Sequence, residues 1–322
     1  SDKNMFLNHA AINPVWNMIA SLTDGERFET QYRFMDNEKA EELVAPMFYS
    51  GLSGQTEKIL RTDRPNIILV ILESFSAKTI EPLGGLPGIT PHLSNLCGEG
   101  ILFTQFYATG LRTDKGVSSI LSAYPAQAKT TIMKYPVKTD KMPHMGKSLK
   151  KEGYELSFYY GGDGNFTNMR SYLKNAGFDR YVSDTDFSKK DFISSWGVPD
   201  GMVFDTMMSD LRDDPEQPFF NVLLTLTSHE PFKIPIPSKF KGNTTDDLYA
   251  SAVYYTDSCI GKFIEEAKQE AWWENTLVIF VSDHSFNFPE GLSNYDPERY
   301  HIPMIWVGGA VKEPMRIETI GS

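Results

Sequence analysis

The 322-residue chain is predicted to be an α/β protein, a central and mostly parallel sheet flanked by helices. Two observations carry this. From Arg64 onward, strand-sized apolar runs alternate with helix-length stretches, the pattern left by crossovers between parallel strands. The first run, Ile67–Leu72, is apolar without interruption and rich in β-branched residues, as a strand covered on both faces of a sheet requires.

Further strands are read at Tyr154–Tyr160, Phe219–Leu226, Thr276–Ser282 and Ile302–Val307. Helices are read between them at Thr113–Leu121, His144–Glu152, Thr167–Ala176 and Asp246–Glu270. Residues 1–63 differ: they are polar and periodic only in patches, Val15-Trp16-Met18-Ile19 and Ala40-Leu43-Val44-Met47-Phe48. Two or three short helices of that kind make no core alone. They are read as a connector packing on the main domain, 64–322.

A net charge of −11, from 31 basic against 42 acidic residues, with no Lys/Arg-rich run, excludes nucleic acid as a partner. Cys97 and Cys259 stand too far apart for a metal-binding pair. No apolar run approaches the ~20 residues that cross a bilayer, and no signal-peptide pattern opens the chain. A start at Ser1-Asp2-Lys3 without an initiator Met reads as a piece cut from a longer protein, with targeting or membrane segments among what could have been removed.

In open α/β sheets, ligands bind beyond the carboxyl ends of the strands. Glu73 directly follows the first strand, Asp283 and His284 follow Thr276–Ser282, and His229 follows the strand ending near Leu226. Thr113 opens a helix in Thr109-Gly-Leu-Arg-Thr-Asp-Lys-Gly116. Taken singly these have ordinary readings: a polar loop residue, a chance dipeptide, a helix cap, a structural histidine. Together they deliver two carboxylates, imidazoles and a hydroxyl to one rim. Glu73, Thr113, Asp283 and His284 form a mixed O/N set suited to one divalent cation, Mn²⁺ first because no thiolate is present, with Zn²⁺ and Mg²⁺ as alternatives. Such an ion would activate the Thr113 hydroxyl as a nucleophile, and the helix start would offer amides to a phosphate or sulfate.

These segments resemble a known family. Asn66-Ile-Ile-Leu-Val-Ile-Leu-Glu-Ser-Phe75 is similar to the metal-ligand strand of lipoteichoic acid synthases and related phosphoglycerol transferases. Thr109-Gly-Leu-Arg-Thr-Asp114 resembles their nucleophile loop, and Leu226-Thr-Ser-His-Glu-Pro-Phe232 their substrate segment. Val281-Ser-Asp-His284 resembles the metal motif shared with sulfatases and phosphoethanolamine transferases. The likeness spans roughly residues 64–310. It implies an alkaline phosphatase/sulfatase-like sandwich, a catalytic Thr113, and a site facing the periplasm or cell exterior. It also implies a membrane anchor through transmembrane helices preceding the catalytic domain, a phospholipid head-group donor, and a glycan or lipid acceptor. Residues 1–63 then resemble the family's helical connector. Members continue past the strand near Ile302–Val307, so the end at Ser322 is read as truncated.

Departures bear on substrate choice. Members often place a His and an Arg in a Gly-Asp loop; here Tyr159-Tyr-Gly-Gly-Asp-Gly-Asn-Phe166 has no His. Arg170 and Asn168 follow nearby, and Arg170 is the candidate phosphate-contacting cation. His229 and Arg112 are further candidates for substrate contact. His301, in Arg299-Tyr-His-Ile-Pro303, divides between a substrate or second-metal role and packing. Two other functions compete. A formylglycine sulfatase needs C/S-x-P-x-R, which neither Arg112-Thr-Asp-Lys-Gly116 nor Leu96-Cys-Gly-Glu99 supplies. A non-catalytic sensor or glycan-binding module would have no need of the Thr113 hydroxyl beside the Glu73, Asp283 and His284 set.

Overall fold

The computed structural model describes residues 15, 33–48, 57–213, 215 and 217–322. The chain divides into two compact units, Ser1–Glu57 and Lys58–Ser322. In the first, the patch from Ala40 to Phe48 lies on α1 (Asn37–Phe48). The other periodic patch, apart from Val15, lies outside the described residues. In the second unit, Leu60 bridges Val311, which ties residues just after the boundary to the body of that unit.

The second unit is built on β1 (Asn66–Leu72), β2 (Ile101–Phe103), β3 (Glu155–Tyr160), β4 (Arg180–Val182), β5 (Phe219–Leu224), β6 (Thr276–Ser282), β7 (Met304–Val307) and β8 (Met315–Ile317). They form one sheet in the order β4-β3-β5-β1-β6-β7-β2-β8. Every pairing is parallel except those of β7, which runs antiparallel to β6 and β2. The helices include α2 (Pro91–Glu99), α3 (Thr113–Ser122), α4 (Met145–Lys151), α5 (Met169–Ala176), α6 (Asp200–Arg212) and α7 (Thr245–Ala267).

Alternation along β1 explains the layering. Ile68, Val70 and Leu72 enter a core shared with α2, α6 and α7. Leu69 and Ile71 point the other way, into a core with α3, α4 and α5. Each of these side chains is at most 2% exposed, and each contributes about 1.5–3 kcal/mol relative to exposure. The uninterrupted apolar run is thus the signature of a strand with helices on both sides. All five expected strands form, and β5 ends two residues early. The three-residue strands β2, β4 and β8 and the helices α2 and α6 were not expected. Three residues carry no detectable period, and α6 has Gly201 in its first turn and a methionine-rich stripe in place of Leu and Ala.

The order β5-β1-β6 positions the site. It sets the carboxyl ends of three adjacent parallel strands side by side on one rim.

The α2–α7 contact contains a polar device. α2 has no side-chain cap of its own. Instead Asp257, on α7, accepts hydrogen bonds from the His92 amide (2.9 Å) and the Leu93 amide (2.8 Å). One turn later Gly261 leaves room for the His92 ring, which a Cβ there would overlap. Burial pushes the Asp257 carboxyl up from 3.8 to about 6, against the pull of the two amides. A folded-state pKa raised above the unfolded one gives stability that is complete below pH ~4 and lost as pH rises through ~6. Asp257→Asn removes this titration. The difference in unfolding free energy between wild type and variant, from urea melts, should therefore shift by on the order of 3 kcal/mol between pH 4 and pH 7. A pH-independent difference would contradict the assignment.

Candidate active site

The first residue beyond β1 is Glu73, 2% exposed. Its amide donates to Thr225 Oγ1 (2.8 Å) and its carbonyl accepts from Ser228 Oγ (2.6 Å), so the turn after β5 clamps it from both sides. That turn is itself held by the buried Asp200 at the start of α6, which accepts from the Leu226 and Thr227 amides and from Thr256 Oγ1 on α7. Burial raises the Asp200 pKa, and the same hydrogen bonds oppose it.

Beyond β6, Asp283 Oδ1 accepts from the Ser74 amide (2.9 Å) and the His284 amide (2.7 Å). Ser74 has φ 61, a left-handed turn that swings its amide toward Asp283. Ser74 Oγ donates to Glu73 Oε1 (2.7 Å). The two strand ends are therefore locked to one another through Ser74.

Ligating atoms of Glu73, Asp283 and His284 lie within 4.8 Å of one another. His284 Nε2 is 3.5 Å from both Glu73 Oε1 and Asp283 Oδ2. His284 Nδ1 faces the Ser285 carbonyl at 3.4 Å. A carbonyl only accepts, so the proton is assigned to Nδ1, leaving the Nε2 lone pair toward the carboxylates. Burial lowers the His284 pKa, which favours this neutral form. Burial and then repulsion from Glu73 push the Asp283 pKa well above the carboxylate range. Asp283 Oδ2 is sealed from water and has no hydrogen-bond partner among the described residues. An imidazole lone pair and carboxylate oxygens converging on one point, one of them orphaned, fit a divalent cation.

Thr113 joins from the side. It is the first residue of α3, and its Oγ1 donates to Glu73 Oε2 at 3.1 Å. The Lys115 and Gly116 amides both close on the Arg112 carbonyl. The amides of Thr113 and Asp114 precede the first intrahelical bond, so no carbonyl of α3 receives them. Gly116 sets the height of the helix, because a Cβ there would overlap the Asp283 carbonyl oxygen. α3 thus rests backbone to backbone on the Asp283 loop.

A cavity of about 330 Å³ opens over these groups, lined by Glu73, Thr113, His284, His229, Arg112 and Arg299 among others. His229 is half-buried, its Nδ1 against the Glu230 carbonyl (2.8 Å) and its ring 4.4 Å from that of Trp196. Arg112 is mostly exposed, with Nε 3.7 Å from Asp114 Oδ1. Asn168 and Arg170 are exposed and do not line the cavity. Arg170 lies 5.0 Å over the Tyr181 ring and donates to Ser183 Oγ (3.2 Å). His301 also stands outside it, stacked on Tyr107 and bonded through Nε2 to the Thr104 carbonyl (3.0 Å). The sequence singled out His301 and not Arg299 within Arg299-Tyr-His-Ile-Pro303, and it gave no signal for Trp196. Arg299 reaches the cavity from a loop whose path no periodicity encodes, and Trp196 sits in a short loop read as neither strand nor helix.

A parallel sheet whose carboxyl rim gathers this cation-ready cluster and a helix-borne hydroxyl defines an enzyme of the alkaline phosphatase superfamily, whose members use a divalent metal. The chain belongs to the sulfatase family: the family model Sulfatase matches residues 65–322. Among curated proteins it is similar to the lipoteichoic acid synthase-like YvgJ of Bacillus subtilis, 29% identical over 229 residues that cover 68% of this chain and 36% of that protein. The chain thus spans about a third of the length of the curated relatives it matches. Among solved structures it is similar to an alkaline phosphatase superfamily protein from Vibrio parahaemolyticus, with TM-score 0.76 and 28% identity, covering 88% of this chain and 71% of that one. It is also similar to the lipoteichoic acid synthase LtaP from Listeria monocytogenes, with TM-score 0.69 and 25% identity, covering 80% of this chain and 68% of that one.

Gly116→Ala tests the backbone contact. Relief of the clash forces α3 and the Asp283 loop apart, so the variant should lose about 1–3 kcal/mol of stability and bind a divalent ion at least tenfold more weakly. Thermal melts and metal titration check it; unchanged metal affinity would show that the helix does not fix the cluster.

Proposed function

We propose that the domain transfers a phosphoglycerol-type head group from a phospholipid to a glycan or lipid acceptor, through a phospho-threonine intermediate on Thr113. The observation that carries this is the Thr113 hydroxyl, held by Glu73 at the mouth of a helix beside a cation-ready cluster. The names of the similar lipoteichoic acid synthases support the same substrate class. Glu73, Asp283 and His284, with Thr113, would hold the ion, Mn²⁺ first given oxygen and nitrogen donors only, with Zn²⁺ and Mg²⁺ as alternatives. When bound, it supplies Lewis-acid stabilisation of phosphoryl charge and lowers the pKa of the Thr113 hydroxyl.

The chain's own groups account for the rest. Glu73 Oε2 holds the Thr113 proton, which turns the oxygen's free lone pairs toward the cavity. Thr113 Oγ1 attacks phosphorus and passes its proton to Glu73 Oε2, the bond to the diacylglycerol oxygen breaks, and His229, half-buried at the rim, gives that oxygen a proton. An acceptor hydroxyl then attacks the phosphothreonine and gives its proton to His229, while the leaving Thr113 oxygen recovers its own from Glu73. The amides of Thr113 and Asp114 face the phosphoryl oxygens throughout. A plain threonine suits phosphorus because a phosphothreonine can be displaced by an acceptor, whereas sulfatases use a hydrated aldehyde to expel sulfate.

A lipid donor places the site at a membrane surface, and we assign the domain to the outer face of the cell membrane. Among the described residues, no helix is long and apolar enough to cross a membrane. Residues 1–63 would then serve as the connector, and substrate contact by Asn168, Arg170 or His301 would require movement from their present packing.

Two measurements test the reading. Thr113→Ala should abolish turnover of a phosphatidylglycerol or phosphatidylethanolamine analogue while keeping metal, and Asp283→Ala should lose both. The wild-type domain should also cleave that analogue far faster than an aryl sulfate. Near-wild-type activity in Thr113→Ala would move the chemistry to a metal-bound water, and a faster aryl sulfate would make the sulfatase reading the better one.

A further inference from the structure

The cavity over Thr113 holds two guanidinium groups, and they differ. Arg112 is 67% exposed and pairs with Asp114, so water screens it. Arg299 is half-buried and has no acidic partner within 4.0 Å among the described residues. Its Nη1 donates to the Ser285 carbonyl and to Ser285 Oγ (2.9 Å). Its Nε is sealed from water without an acceptor. Its Nη2 has no hydrogen-bond partner among the described residues and is not sealed.

Leaving a buried donor unsatisfied costs about 1–3 kcal/mol, and an unpaired buried charge costs more. Such a guanidinium is held ready for an anion that the folded chain does not supply. The Ser285 clamp fixes its plane, so little side-chain entropy is lost when the anion arrives. Burial also pulls the Arg299 pKa down from its usual value, though it stays a cation. Arg170, the cation suggested by sequence, is already committed to Ser183 and the Tyr181 ring.

We propose that Arg299 is the residue that binds a non-bridging oxygen of the substrate phosphoryl group, through Nη2, while Thr113 stands at phosphorus. This rests on the phosphodiester reading of the same site. It moves the substrate contact of the Arg299-Tyr-His-Ile-Pro303 stretch from His301 to Arg299. It also gives the loop between His284 and His301 a task, since Ser285 and Arg299 brace each other across it.

Binding separates this from turnover. In manganese-loaded protein carrying Thr113→Ala, calorimetric titration with glycerol 1-phosphate and with inorganic phosphate gives the reference affinity. Adding Arg299→Gln should weaken both ligands at least tenfold, with metal content and melting temperature kept. Arg299→Lys should fall between the two, because a point charge replaces a planar donor pair. In the chain with Thr113 intact, Arg299→Lys should raise KM more than it lowers kcat. Unchanged phosphate affinity in Arg299→Gln overturns the proposal, as does a loss of affinity that only tracks a loss of bound metal, which would make Arg299 a brace for the His284 loop. If Arg299→Gln does not fold, Arg299→Lys decides by the same criteria. Failure of the wild-type domain to turn over any phosphodiester, with Arg299-dependent phosphate binding intact, would sink the proposed function and leave this contact standing.

Discussion

Two carboxylates facing the lone pair of a neutral imidazole repel unless a cation, or a proton held by Asp283, lies between them, and the rest of the site is arranged around that constraint. Glu73 and Asp283 cannot drift apart to relieve it. Ser74 spans them, donating its hydroxyl to one and its amide to the other. Burial also holds the His284 pKa down, which disfavours relief by protonating the imidazole. The frustration is local and the compensation is remote: the aliphatic cores on both faces of β1 stabilise the sheet that forces these ends together. A frame built on alternating burial can hold a cluster that would not assemble on a loop.

The neighbouring elements serve the same end. β5 contributes no group to the cluster itself, yet its turn fixes Glu73 through Thr225 and Ser228 and presents His229 to the cavity. Asp200 then ties that turn to α6 and α7. A buried carboxylate that only accepts hydrogen bonds, from two amides and a hydroxyl, is a rigid anchor. The precision of the rim is thus inherited from hydrogen bonds one layer below it.

How much of the site was legible in the sequence depends on how position converts to space. A residue directly after a recognisable strand in a parallel sheet must emerge at the carboxyl rim, so Glu73, Asp283 and His284 could be brought together on paper. Thr113 was legible because a helix start is marked by the change to helical period. Arg170 sits on a helix whose rotational phase turns its side chain to Tyr181 and away from the cavity, and sequence spacing does not fix that phase. His301 precedes β7, which runs against the other strands, so its position meets the β2 side of the sheet and packs on Tyr107. Arg299 was illegible for the opposite reason. It lies in the long path from His284 to β7, where only the folded loop decides which side chain returns to the rim.

The close approach of α3 to the Asp283 loop gives Thr113 and the cluster a common reference. Thr113 and Gly116 are three residues apart, one helical turn, so they share a face of α3. Gly116 rests on the Asp283 backbone while Thr113 reaches Glu73. Any side chain at Gly116 would lift that face and lengthen the hydroxyl-to-carboxylate contact at the same time. The absence of one side chain therefore sets the distance at which another meets its carboxylate. The cost glycine brings to a helix interior, about 1 kcal/mol relative to alanine, is small against the alternative, a Thr113 hydroxyl displaced from the carboxylate that orients it.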